Sequence, residues 1–162
     1  MKIYIGSDHA GYQLKNVLKA FLASEEYEVI DCGAYDYVED DDYTDYVSAV
    51  ARQVSINPDD SFGIIVGGSG QGEAIMANRF PNIRAVVFNG QYKSDDGREV
   101  PDELKLTREH NNANILSLGA WFLSEQEAKD AALKWLTAPF SGEERHVRRL
   151  AKIDVLSGEY KQ

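Results

Sequence analysis

Cysteine is almost missing from the chain: Cys32 stands alone among 162 residues, which excludes an internal disulfide and leaves the fold to an apolar core. Histidine is scarce as well. His9, His110 and His146 are the three present, and no close-spaced pair of the H-E-x-x-H kind marks a zinc centre, so no metal is expected. No run approaches the roughly 20 consecutive apolar residues of a membrane span. Positive charge is in deficit, with 17 Lys and Arg against 27 Asp and Glu and a formal net charge of −10. That field repels nucleic acid and anionic membranes, so neither is expected as a partner, and any bound phosphate must be held by a local cluster. Nor does a basic stretch with an apolar follow-on precede the strand-like Lys2-Ile3-Tyr4-Ile5, so a cytoplasmic setting is expected. Low-complexity tracts and internal repeats are not evident.

What is present suits one domain spanning 1–162, long enough to bury a proper core, with 43% hydrophobic and 27% charged residues. Five apolar, β-branched or aromatic runs read as strands: Lys2 to Ile5, Tyr27 to Asp31, Phe62 to Val66, Arg84 to Phe88 and Asn114 to Leu118. Leu14, Val17, Leu18, Phe21 and Leu22 follow the spacing of an amphipathic helix between the first two. Further helices are expected at Tyr46 to Val54, Glu73 to Phe80 and Ser124 to Thr137. Ser124 with Glu127 and Ser141 with Glu144 have the S-x-x-E capping-box spacing, the second opening a last helix to about Lys152. Strands alternating with helices imply a parallel sheet covered on both faces. Two segments interrupt the alternation. Asp36 to Asp45 reads as a solvated acidic loop without the glycine punctuation of a calcium site, and Asn89 to Asp102 reads as a long, turn-rich connection at the carboxyl end of a strand.

The sharpest chemical signal is Gly67-Gly68-Ser69-Gly70-Gln71-Gly72-Glu73 between a strand and a helix. Glycines let backbone N–H groups approach an anion, and a helix N-terminus adds partial positive charge. Neither the P-loop nor the dinucleotide fingerprint is satisfied: no Lys-Ser/Thr pair follows, and Glu73 stands at the third glycine position counted from Gly68. A tight turn needing glycine for geometry alone is the plainer alternative. Glu73 at the mouth of this cradle reads either as a first-turn acidic residue favoured by the helix dipole or as a general base beside oxyanion donors. Asp8-His9 after the first strand and His110-Asn111-Asn112 before the fifth pair histidine with polar neighbours near strand ends, where histidine can move protons. Arg145-His146-Val147-Arg148-Arg149 with Lys152 is the densest basic patch. Arg145 and Arg149 share one helix face and suit either phosphate or plain solvation.

Gly6-Ser7-Asp8-His9-Ala10-Gly11, the 67–73 cradle running on to Ala77-Asn78-Arg79, Arg108 to Asn114, and Arg145 to Arg149 occur in the order seen in B-type ribose-5-phosphate isomerases and the related galactose-6-phosphate isomerase subunits. The chain resembles that family over about residues 1–155. The resemblance implies a Rossmann-like three-layer α/β/α sandwich with a five-stranded parallel sheet, no cofactor or metal, and a homodimer or dimer of dimers with shared active sites. It implies Glu73 as the base moving a proton between C1 and C2 of a phosphorylated sugar, with Gly67 where other members carry a catalytic cysteine. Ser69 and the backbone of Gly68, Gly70, Gln71 and Gly72 would bind the reacting oxygens. His110 with Asp8 would open the ring, Asn111 would orient the enediolate, and His9, Arg145 and Arg149 would hold the phosphate. Trp121 stands where the family commonly has an arginine, and the Asn89 to Asp102 segment is longer than usual. Both leave open a hexose or unusual sugar phosphate as substrate. A non-catalytic binding module is the alternative of a different class.

Overall fold

The computed structural model describes residues 1–159, so the last three residues of the expected 1–162 span lie outside the described residues. The elements are β1 (Lys2–Ser7), α1 (Tyr12–Ser24), β2 (Glu28–Asp31), α2 (Tyr43–Ile56), β3 (Ser61–Gly67), α3 (Gln71–Ala77), β4 (Ala85–Phe88), α4 (Glu103–Glu109), β5 (Ile115–Gly119), α5 (Glu125–Thr137) and α6 (Glu144–Glu159). The five strands pair in parallel in the order β2-β1-β3-β5-β4.

Strand periodicity divides the core between the two faces. Ile3 and Ile5 of β1, Phe62, Ile64 and Val66 of β3, and Leu116 and Leu118 of β5 point to one face, against Leu14, Leu18 and Leu22 of α1, Leu104 of α4 and Trp135 of α5. Ile65 and Ile115 point the other way, against Val47, Val50, Ala51 and Val54 of α2 and Ala77 of α3. The result is the expected three-layer α/β/α sandwich. Strand β3 is buried at all seven positions, as a central strand covered on both faces must be.

Two local expectations need correction, and one element was not foreseen. The connection Asn89 to Asp102 is turn structure as expected, but a helix follows it: Asp102 accepts the amide of Lys105 at 3.2 Å and caps α4, whose seven residues are too few to show a clear apolar period. The capping box at Ser124 and Glu127 forms in full, but the one at Ser141 and Glu144 does not. The Ser141 hydroxyl lies 3.2 Å from His146 Nδ1 and accepts the Glu143 amide at 3.4 Å, because packing of His146 claims it. The last helix also runs beyond Lys152 to Glu159.

Parallel pairing has a consequence for function. Each helix that links two parallel strands must carry the chain from the carboxyl edge of the sheet back to the amino edge. Residues following β1, β3 and β5 therefore collect at the carboxyl edge. Those between α4 and β5, and those following α5, collect at the amino edge. Chain order reverses direction across the sheet between β1 and β3, which opens a crevice between their carboxyl ends.

Candidate active site

The carboxyl-edge crevice is built from the two motifs expected to carry chemistry. From β3, the loop 67–70 is held by its carbonyls. Gly67 accepts from the Ala120 amide at 2.8 Å and Gly68 from the Trp121 amide at 3.0 Å. Ser69 accepts from Asn89 Nδ2 at 3.0 Å and Gly70 from the Ser117 hydroxyl at 2.7 Å. With the carbonyls turned outward, the amides of Ser69, Gly70 and Gly72 donate to no group among the described residues, which suits an anion cradle. Gly70 sits at φ 75°, in the left-handed region where a side chain is strained. Gln71 is exposed, and the Ser69 hydroxyl lies 3.4 Å from its amide.

Glu73 folds back from the first turn of α3 over Gly67. A side-chain carbon at Gly67 would stand 1.6 Å from Glu73 Oε1, so glycine there is the space in which the carboxylate lies. Glu73 is buried, and that burial, with the negative charge of Asp8 adding to it, raises its pKa above the ordinary glutamate value against the pull of its own amide. A carboxylate deprived of water and poised to take a proton has the character of a general base.

From β1 come Asp8 and His9. Asp8 is buried and accepts the Gly11 amide at 3.1 Å; burial raises its pKa, with the neighbouring Asp41 charge adding. His9 is half-buried and tied to Asp41, whose Oδ1 is 2.7 Å from His9 Nδ1 and 2.8 Å from the His9 amide nitrogen. The acidic loop is therefore not simply solvated: the Asp41 side chain is 7% exposed. Burial alone would raise the Asp41 carboxyl, but the His9 amide and ring, helped by Tyr46, hold it below the ordinary aspartate value.

The other expected residues lie elsewhere. His110 ends α4 and Asn111 follows it, at the amino edge. The His110 ring packs on that of the buried His146, with centroids 4.2 Å apart. Arg145 and Arg149 are exposed on α6 beside them, Arg145 Nε being 2.8 Å from Glu143. Arg108 serves this corner structurally. Its guanidinium is buried over Phe62 and Trp135, donates to the carbonyls of Ala138 and Ala113, and is pushed down to about 10 by burial and by Arg84. The five residues of β5 alone put roughly 16 Å between the two edges. One chain thus brings Asp8, His9, Ser69, the cradle and Glu73 together, and it holds His110, Asn111, Arg145 and Arg149 apart from them.

Sequence reasoning missed three side chains at the crevice. Asp41 was lost in a run of like residues. Asn89 carried no signal beyond its place after β4, and Tyr43, whose ring backs Gly72, gave none at all. Trp121, singled out for standing in place of an arginine, covers Gly68 with its indole.

A parallel α/β/α sheet with a buried carboxylate against an anion cradle at its switch point defines an enzyme that shifts protons on a small anionic substrate. Comparison with known proteins narrows the class. The family model described as Ribose/Galactose Isomerase matches residues 3–153. The ribose-5-phosphate isomerase B of Mycolicibacterium paratuberculosis is 38% identical over 162 residues, covering 100% of this chain and 92% of the relative. Among solved structures, ribose-5-phosphate isomerase B of Mycoplasma genitalium with bound ribulose-5-phosphate is 32% identical with a TM-score of 0.88, covering 98% and 97% of the two chains. That of Clostridium thermocellum is 40% identical with a TM-score of 0.87, covering 99% and 100%. The chain belongs to the Ribose/Galactose Isomerase family.

Proposed function

We propose that the chain interconverts ribose 5-phosphate and ribulose 5-phosphate as an aldose–ketose isomerase. The observation that carries this reading is the Glu73 carboxylate, buried over Gly67 beside unpaired cradle amides. In the open-chain sugar Glu73 takes the proton from C2, the electrons move to the carbonyl oxygen, and a cis-enediolate forms. The O2 hydroxyl proton passes to O1, and the same carboxyl returns its proton to C1, which leaves the carbonyl at C2. Ser69 and the amides of the cradle face the oxygens on which negative charge develops, where fixed donors stabilise it without reorganising. Asp8 and His110 open the ring, Asn111 orients the enediolate, and His9, Arg145 and Arg149 hold the phosphate.

The division of these residues between two sheet edges supports a homodimer, or a dimer of such dimers, in which the amino edge of one subunit completes the carboxyl-edge crevice of the other. The α6 helix supports the same reading, since Val147, Ile153, Val155 and Leu156 leave it with an exposed apolar surface. No helix among the described residues is long and apolar enough to cross a membrane.

Trp121 favours a second substrate reading. Its indole lies against Gly68 and is 73% exposed, so the crevice has an apolar wall at the position where the family resemblance leads one to expect an arginine. A hexose phosphate is the corresponding alternative. The test is ketose formation from a panel of five- and six-carbon aldose phosphates. Turnover fastest with ribose 5-phosphate is expected; a hexose phosphate turned over faster favours the alternative, and no turnover across the panel defeats the isomerase. Trp121→Arg with unchanged preference would free position 121 from any role in selection.

A further inference from the structure

We propose that Asp41 is a positioning residue for substrate binding: it clamps His9 through ring and backbone together, so that the imidazole presents its Nε2–H to the phosphate of the sugar. The proposal rests on the reading of His9 as a phosphate ligand.

The geometry is specific. One carboxylate oxygen, Asp41 Oδ1, accepts two hydrogen bonds from the same residue, at 2.7 Å from Nδ1 and 2.8 Å from the amide. A carboxylate only accepts, so Nδ1 must carry a hydrogen. The ring is then left two states. Neutral, it turns a lone pair at Nε2 toward any anion and repels it; protonated, it offers an N–H and a positive charge. Nε2 has no hydrogen-bond partner among the described residues, and the side chain is 34% exposed. Tyr37 sets its ring edge-on to His9, with centroids 6.5 Å apart, and Tyr12 in turn supports Tyr37 at 6.1 Å.

Electrostatic need points the same way. The crevice holds three carboxyl groups, Asp8, Asp41 and Glu73, in a chain of net charge −10. Among Asp8, His9, Ser69 and Glu73, His9 alone can carry positive charge. The charged or titratable groups that face it are Asp8 beside it, Asp41 on its Nδ1, Tyr37 at its ring, and Tyr46 through Asp41. The hydrogen bond to Asp41 and then the charge of Asp8 raise the His9 pKa, burial opposing them. Without Asp41 the ring falls back toward the ordinary value near 6.5. The imidazolium is then lost in the pH window between the variant and wild-type values, and retained below both.

The experiment joins two measurements on the full chain. NMR titration of the histidine rings, with His9→Gln identifying the signal, is run on wild type, Asp41→Asn and Asp41→Glu, with and without inorganic phosphate. The expected result is a His9 titration point above about 6.5 in wild type, lowered in Asp41→Asn and partly restored in Asp41→Glu. Phosphate should shift the His9 signal more weakly in Asp41→Asn. Kinetics with ribose 5-phosphate then give a variant to wild-type KM ratio that climbs with pH to about tenfold, while kcat changes less. In a His9→Gln background, Asp41→Asn should add less than about twofold. An unchanged His9 titration point, or an equal cost of Asp41→Asn in both backgrounds, overturns the proposal. The NMR arm needs no turnover: a chain inactive on ribose 5-phosphate whose His9 still responds in this way sinks the isomerase reading and leaves the role of Asp41 standing.

Discussion

Two inactive variants of this chain should repair each other when mixed. On the proposed roles, Glu73→Gln takes the base from the carboxyl edge, and His110→Gln takes the ring-opening group from the amino edge. Each alone should lose about 10²–10⁴-fold, the usual contribution of a general acid or base. Within one chain the two residues lie beyond each other's reach, since β5 alone spans roughly 16 Å. If a two-fold dimer joins opposite edges, a heterodimer of the two variants has one crevice lacking both groups and one lacking neither. Purified by two different affinity tags, it should run at about half the wild-type dimer's rate, and a random mixture at about one quarter. The mirror experiment has the opposite outcome. A heterodimer of wild type with the Glu73→Gln/His110→Gln double variant spoils both crevices and should be nearly inactive. Size-exclusion chromatography with light scattering tests for the dimer, and a coupled ketose assay reads the rates. A tagged heterodimer no faster than its parents, or a wild-type and double-variant heterodimer keeping half its activity, would refute the shared-site reasoning.

Three further outcomes follow from the crevice. In Glu73→Gln, kcat should fall about 10²–10⁴-fold with KM nearly kept. Its Tm should rise more at pH 8 than at pH 5: a carboxyl raised above 4.5 in the fold costs stability once ionised, a cost absent at low pH and absent in the amide. A lower Tm at pH 8 would show that the charged form is stabilising. Gly67→Ala puts a carbon 1.6 Å from Glu73 Oε1, so the carboxylate must swing away and kcat should drop about 10²-fold with the melting curve little changed; full activity would mean the base does not work from this position. Exhaustive EDTA treatment and Cys32→Ser should each leave the rate unaltered, since burial pushes the Cys32 thiol up to about 11 and leaves scarcely any thiolate at neutral pH. Loss of activity with EDTA would refute the metal-independent reading.

Local chemistry was legible in the chain before any coordinates. Continuous apolar, β-branched or aromatic runs marked the five strands, because strands covered on both faces bury most of their positions; apolar spacing near 3.6 marked α1, because a helix buries one face, and a glycine-rich turn between strand and helix suggested an anion cradle. Where the pattern was short it failed. The seven residues of α4 complete only two turns, and the Ser141 box yielded to His146 because tertiary packing can claim a hydroxyl that local spacing offers to a helix cap. Parallel alternation of strand and helix, read from sequence alone, already implied that residues after a strand and residues before one belong to opposite edges. The particular partnerships did not follow from it. Asp41 meets His9 across 32 residues, Trp121 covers Gly68, and Glu73 fills the space of a missing side chain at Gly67. Each contact depends on where a loop returns to the sheet, which is decided by the packing of the whole domain and by no interval along the chain.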